Sequence, residues 1–275
     1  MAHRSILTLA VSPLLVILAL FAFLAPFDAA VGETTGAGAG KDAAAAEPPA
    51  IDPDAVEALV AMSTDLRKLS SFSLHADTTS ELVLEDGQKL QFQGALDVKL
   101  RRPDRFVVTM KSEQKSRDVF YDGKAVTIYA PQKGFYASFA APATIAATID
   151  KARDDFAVEI PLADLFTFDK DDRIIKSAKS GFVVGDEVIN GTPCVHYAFR
   201  QAHVDWQIWI ASEGPAYPAK IVITTTDDPS MPQYVAYLAW KPDTKISSSD
   251  FTFKPGAKDV NISIVNLAAA APAKQ

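Results

Sequence analysis

The sequence has very little cysteine and histidine. Cys194 is the only cysteine, and four histidines occur among 275 residues. One cysteine excludes an intramolecular disulfide, so an exported form of the chain must be stabilised by its core. A helical metal motif places two histidines at positions i and i+4 with a carboxylate between them, and no two histidines of this sequence have that spacing. We therefore expect no metal site, and we interpret Cys194 as a structural thiol, with a reactive thiol as the alternative.

Motifs for nucleotide binding and nucleophilic catalysis are also missing. The sequence contains no G-x-S-x-G, no P-loop and no dinucleotide fingerprint, and its glycine-rich stretch Gly36–Gly40 has no flanking strand and helix. The formal net charge is -7, and no stripe of Lys and Arg alternates with aromatic residues, which disfavours a nucleic-acid partner. We expect neither catalysis nor a cofactor. A hydrolase with an unrecognised site is the least favoured alternative.

The N-terminus has the layout of a secretory signal peptide. His3 and Arg4 precede an apolar run over 6–24, and small residues follow up to Gly32. This pattern predicts a signal peptide at 1–32 and a periplasmic protein. Because the apolar run is nearly long enough to span a bilayer, an uncleaved inner-membrane anchor is the alternative.

Composition divides the remaining chain into three parts. Residues 33–51 are rich in Ala and Gly and predict a flexible linker, because they hold too few large side chains to repay ordering. Residues 52–266 have the length of one β domain, and 267–275 predict a disordered tail. We expect a monomer.

The predicted domain opens with an amphipathic helix. Asp52, Pro53 and Asp54 supply an N-cap, a proline at the first helical position and an acidic residue in the first turn. The predicted helix ends near Ser70. The apolar residues expected on its buried side are Val56, Leu59, Val60, Leu66 and Leu69.

After this helix the apolar period changes to two, which predicts strands with one dry and one wet face. Turn residues predict three hairpins with defined registers. A loop at 85–87 pairs Leu82 with Leu90 and Ala76 with Leu96; a turn at 122–123 pairs Val119 with Val126; a loop at 201–202 pairs Phe199 with Val204, Tyr197 with Trp206 and Val195 with Ile208. Asn190-Gly191 is a further turn signal, and later strands are predicted at 219–225, 234–240 and 251–253.

These elements predict a mainly β fold. The strands form a curved antiparallel sheet or an incomplete β-barrel. The stretch 143–156, continuing through 160–166, is compatible with helix. With the N-terminal helix it provides two or three helices that cover the sheet.

Several short motifs resemble those of the lipoprotein localisation factors, the LolA/LolB-like superfamily. They are Leu69-Ser70-Ser71-Phe72, Gly94-Ala95-Leu96, Arg101-Arg102-Pro103-Asp104-Arg105-Phe106, Tyr121-Asp122-Gly123-Lys124, Ile128-Tyr129-Ala130-Pro131 and Phe251-Thr252-Phe253-Lys254-Pro255. The similarity spans most of residues 52–262. The chain is identified as an uncharacterised periplasmic branch of the superfamily rather than as the carrier itself.

The resemblance implies an incomplete β-barrel whose apolar hollow holds acyl chains beneath short helices. It also implies that Arg102, directly before a proline, acts as a latch that holds the helical lid shut. The alternative is a surface arginine at a strand end.

The dry face of the predicted sheet is the candidate ligand-binding surface. Its named residues are Leu96, Val98, Tyr197, Trp206 and Ile208, for which a packed core is the alternative. The expected function is a periplasmic binding or carrier protein for an apolar or lipidated ligand. The alternative is an envelope sensor or scaffold that binds a protein partner.

Overall fold

A computed structural model describes residues 51–113, 115–167 and 173–266 of the chain. The predicted signal peptide at 1–32, the linker up to residue 50 and the tail at 267–275 lie outside the described residues. The described part begins at Ile51, which forms a parallel bridge with Gly181.

The strands of the described residues form one sheet of twelve strands. The strands are β1 (Ser71–Val83), β2 (Lys89–Arg101), β3 (Arg105–Ser112), β4 (Ser116–Tyr121), β5 (Ala125–Ala130), β6 (Phe135–Ala140), β7 (Ser180–Ile189), β8 (Thr192–Arg200), β9 (Val204–Ala211), β10 (Pro218–Thr225), β11 (Gln233–Pro242) and β12 (Val260–Asn261). Strands β1–β6 form one antiparallel meander and β7–β11 a second. The meanders join where β11 pairs with β1, and β12 adds to β6 in parallel.

The sheet is open, because β7 and β12 are its two edges. Inward residues as distant as Val119 on β4 and Ile208 on β9 belong to one buried cluster that also contains helical residues. The sheet is therefore curved around its helices. The prediction of a mainly β fold with a curved antiparallel sheet is confirmed, in its open form.

Helices lie before the sheet and between its two meanders. They are α1 (Pro53–Lys68), α2 (Ile145–Phe156), α3 (Asp164–Thr167) and α4 (Arg173–Ser177). The Asp52 carboxylate accepts a hydrogen bond from the Asp54 N–H at 2.9 Å, as expected of an N-cap, and Thr144 caps α2 in the same way. None of the described helices combines the length and the apolar character needed to cross a membrane.

The buried side of α1 differs from the prediction at one position. Val60 is 47% exposed, whereas Ala55, Leu59, Met62 and Leu66 are buried. Placing Val60 on the buried side was wrong. Leu59 lies at the centre of the buried side, and a helix turns by about 100° per residue, so the next residue points away from the sheet.

The first hairpin has the predicted register. In two other hairpins the observed register differs from the predicted one by two residues. Leu82 pairs with Leu90 and Ala76 with Leu96, as expected. Val119 instead pairs with Ile128, so the predicted pair with Val126 was wrong. In the hairpin of β8 and β9, three predicted pairs were wrong; the observed pairs are Phe199 with Trp206, Tyr197 with Ile208 and Val195 with Ile210.

Polar contacts at the turns explain both displacements. The Asp122 carboxylate accepts hydrogen bonds from the N–H groups of Lys124 and Ala125, both at 2.9 Å, which moves the turn one residue later. In the other hairpin, Arg200 and Asp205 are paired and joined by two hydrogen bonds of 2.9 and 2.7 Å. A displacement of two residues leaves every side chain on its predicted face.

The predicted strand at 251–253 was also wrong. A 3-10 helix occupies Ser248–Phe251 and begins with a capping box, in which Ser247 and Asp250 bond to each other's backbone. The Ser247 hydroxyl also accepts from the Ser249 N–H at 3.3 Å. These local polar bonds compete with strand pairing, which an alternating apolar pattern alone does not reveal.

We predict that Leu59→Ala destabilises the domain by about 2–5 kcal/mol, because the removed side chain is 2% exposed and leaves a cavity between α1 and the sheet. Val60→Ala is the matched control on the same helix, and its exposed position predicts a change within about 0.5 kcal/mol. Urea unfolding followed by circular dichroism measures both. Equal losses for the two variants would contradict the observed orientation of α1.

Candidate functional site

The five candidate ligand-binding residues all lie on the concave face. Leu96, Val98, Tyr197, Trp206 and Ile208 are buried members of the main core cluster. They form two groups, because strands β1, β11 and β10 separate β2 from β9 in the sheet. The concave face thus carries both groups under the helices, without direct pairing between them.

The group on β8 and β9 is built around stacked aromatic rings. Phe199 and Trp206 are paired across the strands, with ring centroids 4.2 Å apart and planes inclined by 14°. Tyr197 pairs with Ile208 beside them. Gly181 lies opposite Phe199, and a Cβ atom there would come within 2.5 Å of the Phe199 ring. Glycine at this position leaves room for the stacked pair.

The indole nitrogen of Trp206 has no hydrogen-bond partner among the residues that the structure describes, although the residue is only 4% exposed. The other two tryptophans both have partners. Trp240 Nε1 donates to the Pro218 carbonyl at 2.8 Å, and Trp209 Nε1 donates to the Glu187 carboxylate. Trp206 therefore differs from both in its polar contacts.

Arg102, the candidate latch, directly follows β2 and contacts two helices. Its Nε donates to the Leu69 carbonyl at 3.1 Å, and its Nη1 donates to the Phe166 carbonyl at 3.2 Å. Leu69 caps the carboxyl end of α1, and Phe166 lies in α3. Carbonyl groups in a last helical turn lack intrahelical partners, and a guanidinium satisfies them with charged donors. One side chain thus connects α1, α3 and the sheet.

Aromatic packing surrounds this connection. The Phe166 ring lies 5.9 Å from Phe72 on β1, and Phe72 lies 5.3 Å from Trp240 on β11. The backbone of Phe166 therefore bonds to Arg102 while its ring packs at the junction of the two meanders. Arg101, the preceding residue, contacts the C-terminal segment instead, through the Ile246 carbonyl and the Ser248 hydroxyl.

A smaller apolar cluster lies on the convex face. Its buried members are Ile189, Cys194, Trp209 and Val222. The His196 ring stacks on Trp209 with centroids 3.9 Å apart, and Lys220 Nζ lies 4.1 Å from the centre of the same indole. These contacts give Trp209 a fully partnered environment.

Burial shifts the pKa values of two groups on the convex face. Burial raises the pKa of Cys194, so the thiol stays protonated, and its Sγ donates to the Thr192 carbonyl at 3.3 Å. Burial also lowers the pKa of His196, whose Nε2 lies 3.0 Å from the Gln207 amide oxygen. Among the described residues, no three His, Cys, Asp or Glu side chains are grouped as metal ligands would be.

Sequence reasoning missed the partners of Arg102 and the Phe199–Trp206 stack. The acceptors of Arg102 are backbone carbonyls, which no residue type announces. The stack depends on the register of β8 and β9, so the two-residue displacement concealed it. The paired charges of Arg200 and Asp205 were the signal that could have given the correct register.

Comparisons with known proteins gave one family and several solved structures. A family model described as "Predicted periplasmic protein (DUF2092)" matches residues 55–265. A comparison with curated proteins found no match.

The solved structures are similar at low identity. An uncharacterized conserved protein from Thermus thermophilus has a TM-score of 0.45 and 11% identity, covering 76% of this chain and 99% of that one. LprF from Mycobacterium bovis has a TM-score of 0.41 and 15% identity, covering 72% and 98%. A LolA superfamily protein from Nitrosomonas europaea has a TM-score of 0.35 and 11% identity, covering 72% and 97%. Similarity this low carries nothing about what the present chain binds.

We predict that Arg102→Leu increases backbone hydrogen exchange at the carboxyl ends of α1 and α3 by about tenfold, because both ends lose a charge-assisted hydrogen bond. Mass spectrometry of peptides containing Leu69 and Phe166 measures this exchange.

Arg101→Leu is the matched control, since it removes the same charge one residue away. It should increase exchange around 246–251 and leave α1 and α3 unchanged. Unchanged exchange of both helix ends in Arg102→Leu would mean that Arg102 does not hold them.

Proposed function

We propose that this chain, which belongs to the DUF2092 family of predicted periplasmic proteins, is a non-catalytic binding or carrier protein for an apolar or acylated ligand held on the concave face of its sheet. The family model covers most of the chain. The expectation that the chain belongs to a family of predicted periplasmic proteins is confirmed by that match.

The observation that carries this proposal is the way the helices cover the concave face. Helix α1 contributes Leu59, Met62 and Leu66 to the main cluster, and α2 contributes Ile145 and Ile149. Arg102 attaches α1 and α3 to the strand end through hydrogen bonds to two carbonyls. The cover packs on the sheet through these apolar side chains and through the Arg102 hydrogen bonds, but it is not part of the strand ladder, so it can separate from the sheet without breaking strand pairing.

The ligand would replace the helices as the apolar partner of the sheet. Burying roughly eight methylenes at about 0.8 kcal/mol each supplies about 6 kcal/mol before the costs of association. That amount supports reversible binding of a single acyl chain. Leu96, Val98, Tyr197, Trp206 and Ile208 are the proposed contact residues, and Arg102 is the proposed latch of the lid.

A second candidate function is supported by the β7 edge of the sheet beyond the bridge between Ile51 and Gly181. Strand β7 is an edge strand, and its apolar residues Phe182, Val184 and Val188 are exposed. An apolar edge strand can bind an extended segment of another protein by adding a strand. This observation favours an envelope sensor or scaffold as the alternative, with the chain itself expected to be a monomer.

Two tryptophans on β9 provide a matched test of the carrier function. Trp206 and Trp209 are both 4% exposed, but they lie on opposite faces of the sheet. We expect Trp206→Ala to weaken binding of the fluorescent probe N-phenyl-1-naphthylamine by about tenfold, the equivalent of about 1.4 kcal/mol. Trp209→Ala should leave the affinity unchanged. Probe titration measures both affinities, and the melting temperatures show whether each variant folds.

The two interpretations of Trp206 also predict different stabilities. A packed core loses about 3–5 kcal/mol when a buried tryptophan is truncated, whereas the wall of a site that opens for a ligand loses less. Severe unfolding of Trp206→Ala, together with no probe binding by the wild-type protein, would contradict the carrier function. The scaffold would then be the better account.

A further inference from the structure

The four residues that directly flank Trp206 within the concave face of the sheet are all apolar. Strand β9 is paired on both sides, so Phe199 and Ile223 lie directly opposite Trp206. Val204 and Ile208 precede and follow it on the same face of the strand. All four side chains are buried, and none of them carries a hydrogen-bond acceptor.

The backbone of the flanking strands does not supply an acceptor either. Carbonyl groups of a strand that is paired on both sides point along the sheet toward the neighbouring strands, where they accept ladder hydrogen bonds. The indole side chain stands out from the sheet on the concave side. Its N–H group is a donor only, and buried tryptophans usually find a partner for it.

A buried water molecule is a poor substitute at this position. An ordered internal water is held by two to four polar groups, whereas the four side chains that flank Trp206 in the sheet provide none. An acceptor carried by an otherwise apolar molecule meets both requirements of the site. It would satisfy the indole N–H while its hydrocarbon part packs against Phe199, Ile208 and Ile223.

We infer that Trp206 Nε1 is a hydrogen-bond donor for the acyl carbonyl of the ligand, so that the site selects acyl esters or amides over plain hydrocarbons. This inference rests on the proposed binding function and specifies the chemical class of its ligand. Trp206 is then a specificity-determining residue, in contrast to Trp209 and Trp240, whose N–H groups have partners within the protein.

Three chains of equal length separate the carbonyl from the hydrocarbon contribution. Tetradecane, methyl dodecanoate and N-methyldodecanamide differ in whether they carry no carbonyl, an ester carbonyl or an amide carbonyl. Each is titrated against the bound probe N-phenyl-1-naphthylamine. We expect the wild-type protein to bind the ester about tenfold more tightly than the alkane, the equivalent of about 1.4 kcal/mol. The amide should bind at least as tightly as the ester, because its oxygen is the stronger acceptor.

Trp206→Phe keeps an aromatic ring but removes the donor, so the ester should then bind no more tightly than the alkane, because its carbonyl would be buried without a partner. Trp209→Phe removes an N–H that donates to the Glu187 carboxylate on the opposite face of the sheet, and it should keep the preference for the ester. A preference that persists in Trp206→Phe would overturn the inference. So would equal binding of ester and alkane by the wild-type protein, although the carrier function would survive that result. If none of the three chains displaces the probe, both the inference and the carrier function fail.

Nuclear magnetic resonance tests the same contact in the wild-type protein. The protein has three tryptophans, so three indole N–H signals are expected. The Trp206 signal should move downfield when methyl dodecanoate or N-methyldodecanamide is added, and it should not do so with tetradecane. A Trp206 signal that responds equally to all three chains would overturn the inference.

Discussion

The pairing of β1 with β11 is the interaction on which the rest of the structure depends. It runs from Phe72 opposite Pro242 to Ser80 opposite Tyr234 and joins two meanders that are otherwise separate in the sequence. Without it, each half would expose an apolar face of its own. With it, one continuous concave face forms, and the helices between the meanders lie where they can cover that face.

The same junction places Arg102. Arg102 follows the strand that pairs with β1, and the Phe72 ring on β1 packs between Phe166 and Trp240. The carbonyl of Phe166 is therefore held near a guanidinium by packing that belongs to the sheet itself. The cover and the junction are coupled, because a change in one alters the contacts of the other.

The sequence was sufficient for the faces of the strands but not for all of their registers. Alternation of apolar residues placed Trp206 and Tyr197 on the concave face and Trp209 on the convex face, and the structure agrees. Registers depended on turn contacts, such as the Asp122 carboxylate bonding to following N–H groups. The acceptors of Arg102 and the apolar surroundings of the Trp206 N–H depend on tertiary contacts, which a single sequence does not encode in any short pattern.

Binding of an acylated molecule to the concave face in the cell can be tested directly. Native mass spectrometry of the wild-type protein purified from the periplasm without detergent compares its mass with that of the denatured polypeptide. We expect an additional mass that is released on denaturation and fragments as an acyl chain. A native mass equal to that of the bare polypeptide, both as isolated and after incubation with lipid, would contradict this binding.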